Sequence, residues 1–132
     1  MTLQIETYVP ENGIFPIAST LIYGEKEAVL INGQFQASKA RALAERIKAT
    51  GRKLTTIFVS HSDPDYYFAL DTLRGEFPEA RIVATLQTAW LIDATKEDKL
   101  DVWKDQLGED IPQELITPDA LTGNIEIEGD VV

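Results

Sequence analysis

The chain has 132 residues, 44% of them hydrophobic, which is long enough for a globular domain with its own core. Its formal net charge of −10 makes nucleic acids and anionic membranes unfavourable partners, because both attract clustered Lys and Arg. The chain contains no cysteine, which excludes disulfides and thiolate metal ligands, and it shows no leader or long apolar run, which predicts a cytoplasmic protein.

The first half of the chain predicts a strand, a hairpin and a helix. Apolar and polar residues alternate over residues 3–9, as in a half-buried strand. Two apolar runs, residues 14–24 and 27–33, flank a Gly-Glu-Lys turn and predict an antiparallel hairpin. Apolar residues three and four apart predict an amphipathic helix over residues 36–50 with a solvated basic face, ended by Gly51.

The middle of the chain predicts a β-α-β unit. Residues 55–60 form a β-branched and aromatic run typical of a buried strand. Apolar residues at helical spacing follow from Tyr66 to Phe77, and residues 81–85 predict the next strand. Because such a unit connects parallel strands, we expect a sheet that is at least partly parallel.

The last third predicts a long helix and a terminal hairpin. Residues 88–107 have helical spacing, in one or two pieces, and Gly108 follows as a stop signal. Trp90 and Trp103 are interpreted as core or interface aromatics rather than ligand-stacking groups. The Gly129-Asp130 pair predicts a hairpin turn whose return strand is only two residues long.

The segment HSDPDYYF, residues 61–68, follows the buried strand directly and holds the only histidine of the chain. Ligands bind at the carboxyl ends of parallel strands, so His61, Asp63 and Asp65 could converge there on one cation. A second interpretation is an ordinary helix start, in which Asp65 after Pro64 caps the first turn. The residues alone leave both interpretations open.

Two other metal patterns fit the segment poorly. An EF-hand loop beginning at Asp63 would need glycine and glutamate where Phe68 and Arg74 stand, and is excluded. Asp63-Pro64-Asp65 matches the Asp-x-Asp of some nucleotide-sugar enzymes, but no Gly-rich phosphate loop supports that function.

The order of elements, with AVLING at a turn and FVSHSDPDYYFALDTL after the buried strand, resembles the N-terminal half of the metallo-β-lactamase fold superfamily. The resemblance implies an α/β fold that is half of an αββα sandwich, with a mixed sheet and helices packed on one face. It also implies that residues 1–132 form a single domain, truncated relative to the family. One sheet face would then be apolar and uncovered.

The resemblance also implies roles for the residues of the segment. His61 matches the first histidine ligand, and Asp65 matches the aspartate that holds a second metal or polarises the attacking water, a catalytic role. Asp63 and Tyr66 stand where the family has its other histidines, and Asn32 replaces a structural aspartate. We therefore expect either one weakly bound zinc, manganese or iron ion at His61, Asp63 and Asp65, or no cofactor.

Two functions follow as hypotheses. The first is a binding or self-associating module without catalysis, in which a homodimer covers the apolar sheet face. The second is a metal-dependent hydrolase, in which water activated at His61, Asp63 and Asp65 attacks an ester, lactone, amide or phosphoester of an unidentified small molecule.

Overall fold

Six strands form one mixed sheet in a computed structural model that describes residues 2–132. The spatial order of the strands is their order in the chain: β1 (Gln4–Tyr8), β2 (Ser19–Tyr23), β3 (Glu27–Ile31), β4 (Lys53–Phe58), β5 (Arg81–Ala84) and β6 (Asp119–Ala120). Pairing is antiparallel from β1 to β3 and parallel from β3 to β6. The predicted mixed sheet is thus confirmed.

Three helices connect the parallel strands: α1 (Ala37–Ala49), α2 (Leu70–Glu76) and α3 (Leu86–Leu107). Helix α1 ends before Gly51, whose φ of 73° favours glycine. Helix α3 is one continuous helix and begins two residues before the predicted start, because Thr85 caps it by accepting a hydrogen bond from the Thr88 N–H at 3.2 Å.

The helices cover one face of the sheet and form the main core with it. Pairing across the sheet places Leu21, Leu30, Ile57 and Ile82 in one row on this face, and all four are buried. Apolar residues of α1, α2 and α3 complete the same hydrophobic cluster. The helical and strand periods predicted from the sequence therefore meet in a single core, as the resemblance implies.

The opposite face of the sheet, called here the outer face, carries two further rows. Residues paired across the sheet alternate with those of the core rows, and the two outer rows are Ile5, Ile22, Val29, Thr56 and Arg81, and Thr7, Thr20, Ile31, Phe58, Val83 and Asp119. No helix of residues 2–132 belongs to this face. The outer face is the one that the resemblance leaves without helices.

The C-terminal segment folds back on part of the outer face. Strands β7 (Glu126–Ile127) and β8 (Asp130–Val131) form the predicted terminal hairpin. Strand β7 contacts β3, and Ile127 is fully buried outside the main core. The carboxylate of Glu128 accepts hydrogen bonds from the N–H groups of Glu25 and Lys26, both at 2.9 Å, and so anchors the hairpin at the turn between β2 and β3.

Aromatic side chains join the loop after β3 to α3. Phe35 lies 5.5 Å from Phe15, 5.7 Å from Phe68 and 5.5 Å from Trp103, measured between ring centroids. Trp103 is therefore a core aromatic, as predicted. Trp90 is 67% exposed and does not belong to the core, so only its interpretation as an interface aromatic stays a prediction.

A carboxylate from a distant part of the chain caps α1. The side chain of the N-cap residue Gln36 makes no capping bond. The Asp110 carboxylate caps the helix instead: it accepts from the Ser38 backbone N–H at 2.8 Å and from the side-chain nitrogen of Gln36 at 2.9 Å. Burial raises the pKa of Asp110, but the hydrogen bonds from Ser38 and Gln36 outweigh it and hold the pKa below its usual value.

We expect Asp110→Ala to lower the free energy of unfolding by about 1 kcal/mol at neutral pH, the usual loss for a helix cap. Because the folded pKa of Asp110 is depressed, its contribution is complete above the unfolded value of about 3.9 and is lost as the pH falls through the folded value. Urea unfolding of the wild type and of Asp110→Ala, from neutral to acidic pH, should therefore show a difference in the free energy of unfolding that disappears only below about pH 4. An equal difference at all pH values would contradict the capping role.

Among residues 2–132, no helix is both long enough and apolar enough to cross a membrane. The cytoplasmic location stays a prediction.

Candidate functional site at the His61 loop

The segment 59–69, called here the His61 loop, lies at the carboxyl end of β4 and next to the loop that follows β3. These two strands are parallel, and their register pairs Ile31 with Phe58. The residues after each strand therefore meet at one edge of the sheet, where open α/β sheets place ligands. The sequence predicted this position.

A polar network joins the two loops. The side-chain oxygen of Asn32 accepts from the Ser60 N–H at 2.8 Å, and the Asn32 amide nitrogen donates to the Ser60 hydroxyl at 2.9 Å. The Ser60 hydroxyl oxygen lies 2.6 Å from His61 Nδ1. Asn32 is buried and has a left-handed backbone with φ 70°, which asparagine tolerates better than most residues.

The rest of the loop is held by backbone bonds and close packing. The Gly33 N–H donates to the Tyr66 carbonyl at 2.9 Å, and the Ala69 N–H donates to the Gln34 carbonyl at 2.8 Å. A Cβ at Gly33 would lie 3.1 Å from Leu70 Cδ2 and 3.3 Å from the Tyr66 carbonyl, so a side chain there would push the two loops apart. Glycine at this position allows the close approach of the two loops.

The imidazole of His61 stacks on the Tyr66 ring, with centroids 4.6 Å apart and planes 24° apart. Together with the Ser60 contact at Nδ1, this stack fixes the ring of an otherwise exposed side chain. Tyr66 thus occupies one side of the imidazole at the place where the resemblance would put another histidine.

The interpretation of Asp65 as a helix cap is wrong. Residues Pro64–Tyr66 form a short 3-10 turn with Asp63 at its N-cap, and the Asp63 side chain makes no capping bond. Helix α2 begins only at Leu70, four residues later than the predicted helix. The proline at the first turn position and the early 3-10 geometry account for the difference.

The half-buried carboxyl of Asp65 is less acidic than usual. Burial raises its pKa, and the charge of Asp63 adds to the increase, while a hydrogen bond from its own backbone and the charge of Lys99 act in the opposite direction. Lys99 on α3 also donates to the Ser62 carbonyl and so ties the long helix to the His61 loop.

Tyr67 contributes a buried hydroxyl that has no hydrogen-bond partner within residues 2–132. Burial raises the pKa of this hydroxyl above its usual value, and the charge of Asp63 adds to the effect.

The side chains present do not fit a metal ion. Residues 2–132 contain no group of three or more His, Asp and Glu side chains placed to hold a cation together. His61 is the only histidine, and its ring neighbour Tyr66 is a neutral tyrosine and therefore a poor second ligand. The assignment of His61, Asp63 and Asp65 as metal ligands, and of Asp65 as catalytic, stays a prediction.

Reasoning from the sequence missed Ser60 as a member of the site. Its position directly before the histidine and at the end of a strand was visible, but its partner Asn32 lies 28 residues earlier in the chain. Only the parallel register of β3 and β4 brings the two together.

Comparison of sequences connects the chain with a large family. A sequence model described as the metallo-beta-lactamase superfamily matches residues 12–131. An uncharacterized protein, YobT of Bacillus subtilis strain 168, is 24% identical over 111 residues, which are 84% of this chain and 46% of YobT. The chain thus spans about half the length of this relative.

Comparison with solved structures shows the same fold. The B3 metallo-beta-lactamase BLEG-1 superposes with a TM-score of 0.68 at 19% identity, over 95% of this chain and 57% of that protein. MEM-A1, a subclass B3 enzyme from a soil metagenome, gives 0.59 at 21% identity, over 85% and 43%. FIM-1 of Pseudomonas aeruginosa, solved in a mono-zinc form, gives 0.55 at 12% identity, over 71% and 42%. The fold resembles about half of each of these proteins.

Proposed function

Because the chain belongs to the metallo-beta-lactamase superfamily and matches about half the length of the relatives above, we propose that it acts as an assembly half of that fold. In this function the outer face of the sheet binds a second sheet layer, and the His61 loop is scaffolding. The observation that carries the proposal is the outer face itself, which within residues 2–132 is covered by no helix and only partly by the C-terminal segment.

The apolar character of the outer face supports docking. An open groove runs between the sheet and the C-terminal segment, and its apolar lining consists of Val29, Ile31, Phe58, Leu121, Ile125 and Val132. At the free edge of the same face Ile5 of β1 is 67% exposed, and the residue paired with it on β2 is the half-buried Ile22. Apolar side chains that continue along one sheet face are typical of an interface rather than of a solvated surface.

We propose that the partner that binds the outer face is a second copy of the chain. Val29 and Val83 are already buried in the single chain, so two copies related by a two-fold axis would meet through the part of the outer face that stays accessible: Ile5 and the half-buried Ile22, Ile31 and Phe58. Only two residues of the two rows are charged, Arg81 and Asp119, and their charges are of opposite sign.

A dilution series by size-exclusion chromatography with light scattering tests the proposal. We expect a molar mass near twice the 14.7 kDa of the chain at high concentration and a shift toward the single mass on dilution. A mass that stays at the single value at every concentration would contradict self-association.

A metal-dependent hydrolase is the second candidate, and the position of His61 at the carboxyl end of β4 favours it. Because residues 2–132 bring no three metal-binding side chains together, the metal would need further ligands from another polypeptide or another segment. Metal analysis of protein purified without chelator decides: stoichiometric zinc, manganese or iron that disappears in His61→Ala would support this function, and metal-free protein would support the assembly half.

A further inference from the structure

We propose that Asn32 holds the neutral imidazole of His61 in the tautomer that has its hydrogen on Nε2. The histidine then offers an N–H donor, and no lone pair, at the ring nitrogen left free by the loop. This inference concerns the His61 loop alone and does not depend on self-association, so either can fail without the other. Asn32 and Ser60 are positioning residues in it.

The first step is the orientation of the Asn32 amide. The Ser60 backbone N–H can only donate, and it lies 2.8 Å from the Asn32 side-chain oxygen. The opposite orientation would place two donors against each other, so the oxygen must face the backbone of Ser60. The amide nitrogen is thereby left to donate to the Ser60 hydroxyl oxygen at 2.9 Å.

The second step is the direction of the Ser60 hydroxyl hydrogen. Two acceptors are within reach: the Asn32 oxygen at 3.0 Å and His61 Nδ1 at 2.6 Å. The Asn32 oxygen already accepts the Ser60 N–H, and the Nδ1 contact is the shorter by 0.4 Å, which is the difference between 3.0 and 2.6 Å. The hydrogen therefore goes to Nδ1, which must carry a lone pair to accept it.

The third step is the consequence at the other ring nitrogen. A neutral imidazole with a lone pair at Nδ1 has its hydrogen at Nε2. Histidines that bind metals usually show the reverse arrangement, with one nitrogen donating to the protein and the other giving its lone pair to the metal. The network around His61 thus opposes a metal bond, in addition to the missing ligands within residues 2–132.

The direction of the hydrogen bonds between Asn32, Ser60 and His61 depends on the side-chain nitrogen of Asn32, which is a donor. An aspartate at this position has no N–H, so it would accept both from the Ser60 backbone and from the Ser60 hydroxyl. The hydroxyl oxygen would then accept a hydrogen bond from Nδ1, and the lone pair would move to Nε2. Aspartate also tolerates the left-handed backbone of Asn32, so Asn32→Asp is expected to fold.

Nuclear magnetic resonance can measure the tautomer directly, because His61 is the only histidine. Long-range proton–nitrogen correlation of the neutral imidazole assigns which nitrogen bears the hydrogen. We expect the Nε2–H form in the wild type, with less of the minor form than in a short unstructured peptide containing histidine. We expect Asn32→Asp to reverse the assignment.

The control is Ser60→Ala, which removes the link between Asn32 and the ring. In this variant the minor form should rise to the level of the peptide, and the double variant with Asn32→Asp should show no reversal. A wild type with hydrogen on Nδ1, or an Asn32→Asp protein that keeps the wild-type assignment, would overturn the proposal. If Asn32→Asp fails to fold, Ser60→Ala compared with the wild type still decides.

Zinc titration followed by the same ring signals gives a second readout. At zinc concentrations that shift the ring signals of Asn32→Asp, the ring signals of the wild type should stay unchanged. The reason is that a correctly oriented neighbouring group typically alters metal affinity about 10–100-fold. The expected order of affinities is Asn32→Asp above wild type by at least about tenfold. Equal affinities, or tighter binding by the wild type, would count against the role of Asn32.

Discussion

Replacing Ile5 with glutamate is expected to convert the self-associated protein into a monomer. Ile5 lies on the outer face, at the free edge of the sheet, and is 67% exposed in the single chain. In the proposed dimer this side chain becomes buried, and a carboxylate without a partner is costly to bury. Because a two-fold axis introduces the change twice, we expect the dissociation constant to rise by about two orders of magnitude.

Trp90→Glu is the matched control for this prediction. Trp90 has the same exposed fraction, 67%, but it lies on α3 in the helical layer, so the proposed dimer through the outer face does not use it, in contrast to its interpretation as an interface aromatic. Light scattering at matched concentrations should show a monomer for Ile5→Glu and an unchanged dimer for Trp90→Glu. The reverse pattern would move the interface to the helical layer.

The largest loss of stability is expected from Phe35→Ala. Phe35 is 2% exposed and contacts aromatic rings from three other parts of the chain, including Phe68 at the end of the His61 loop. Removing a buried phenylalanine side chain typically costs about 3–5 kcal/mol, a large part of the stability of a small domain. Urea unfolding followed by tryptophan fluorescence measures the loss, because Trp103 is packed against Phe35 and becomes exposed on unfolding, whereas Trp90 is already exposed.

Phe35→Leu separates the two contributions of Phe35 to the free energy of unfolding, the burial of its apolar volume and its contacts with other aromatic rings. It keeps much of the apolar volume, so its loss should be clearly smaller than that of Phe35→Ala. A loss below about 1 kcal/mol for Phe35→Ala would place this aromatic cluster at the surface of the core and contradict the described packing.

The sequence predicted most of the fold because each element has its own local signal. The alternation in β1, the apolar runs of the β2–β3 hairpin, the helical spacing in α1 and the glycines after α1 and α3 are visible within a few residues. The features that it did not predict depend on distant partners. Asp110 caps α1 from 72 residues away, and Glu128 anchors the C-terminal hairpin on a turn about a hundred residues earlier.

The candidate site shows the same division. The His61 loop was located correctly, since a His-x-Asp segment directly after a buried strand is a local signal. Its internal geometry was not, because Asn32 and Ser60 meet only through the parallel pairing of β3 and β4. The 3-10 turn at Pro64–Tyr66 also removed the capping role expected of Asp65.

Native mass spectrometry of protein purified without chelator tests the central claim most directly, because one spectrum reports both the number of chains and any bound metal. The account predicts an assembly of two 14.7 kDa chains without metal. A single chain that carries a stoichiometric metal ion would contradict it and would favour the hydrolase.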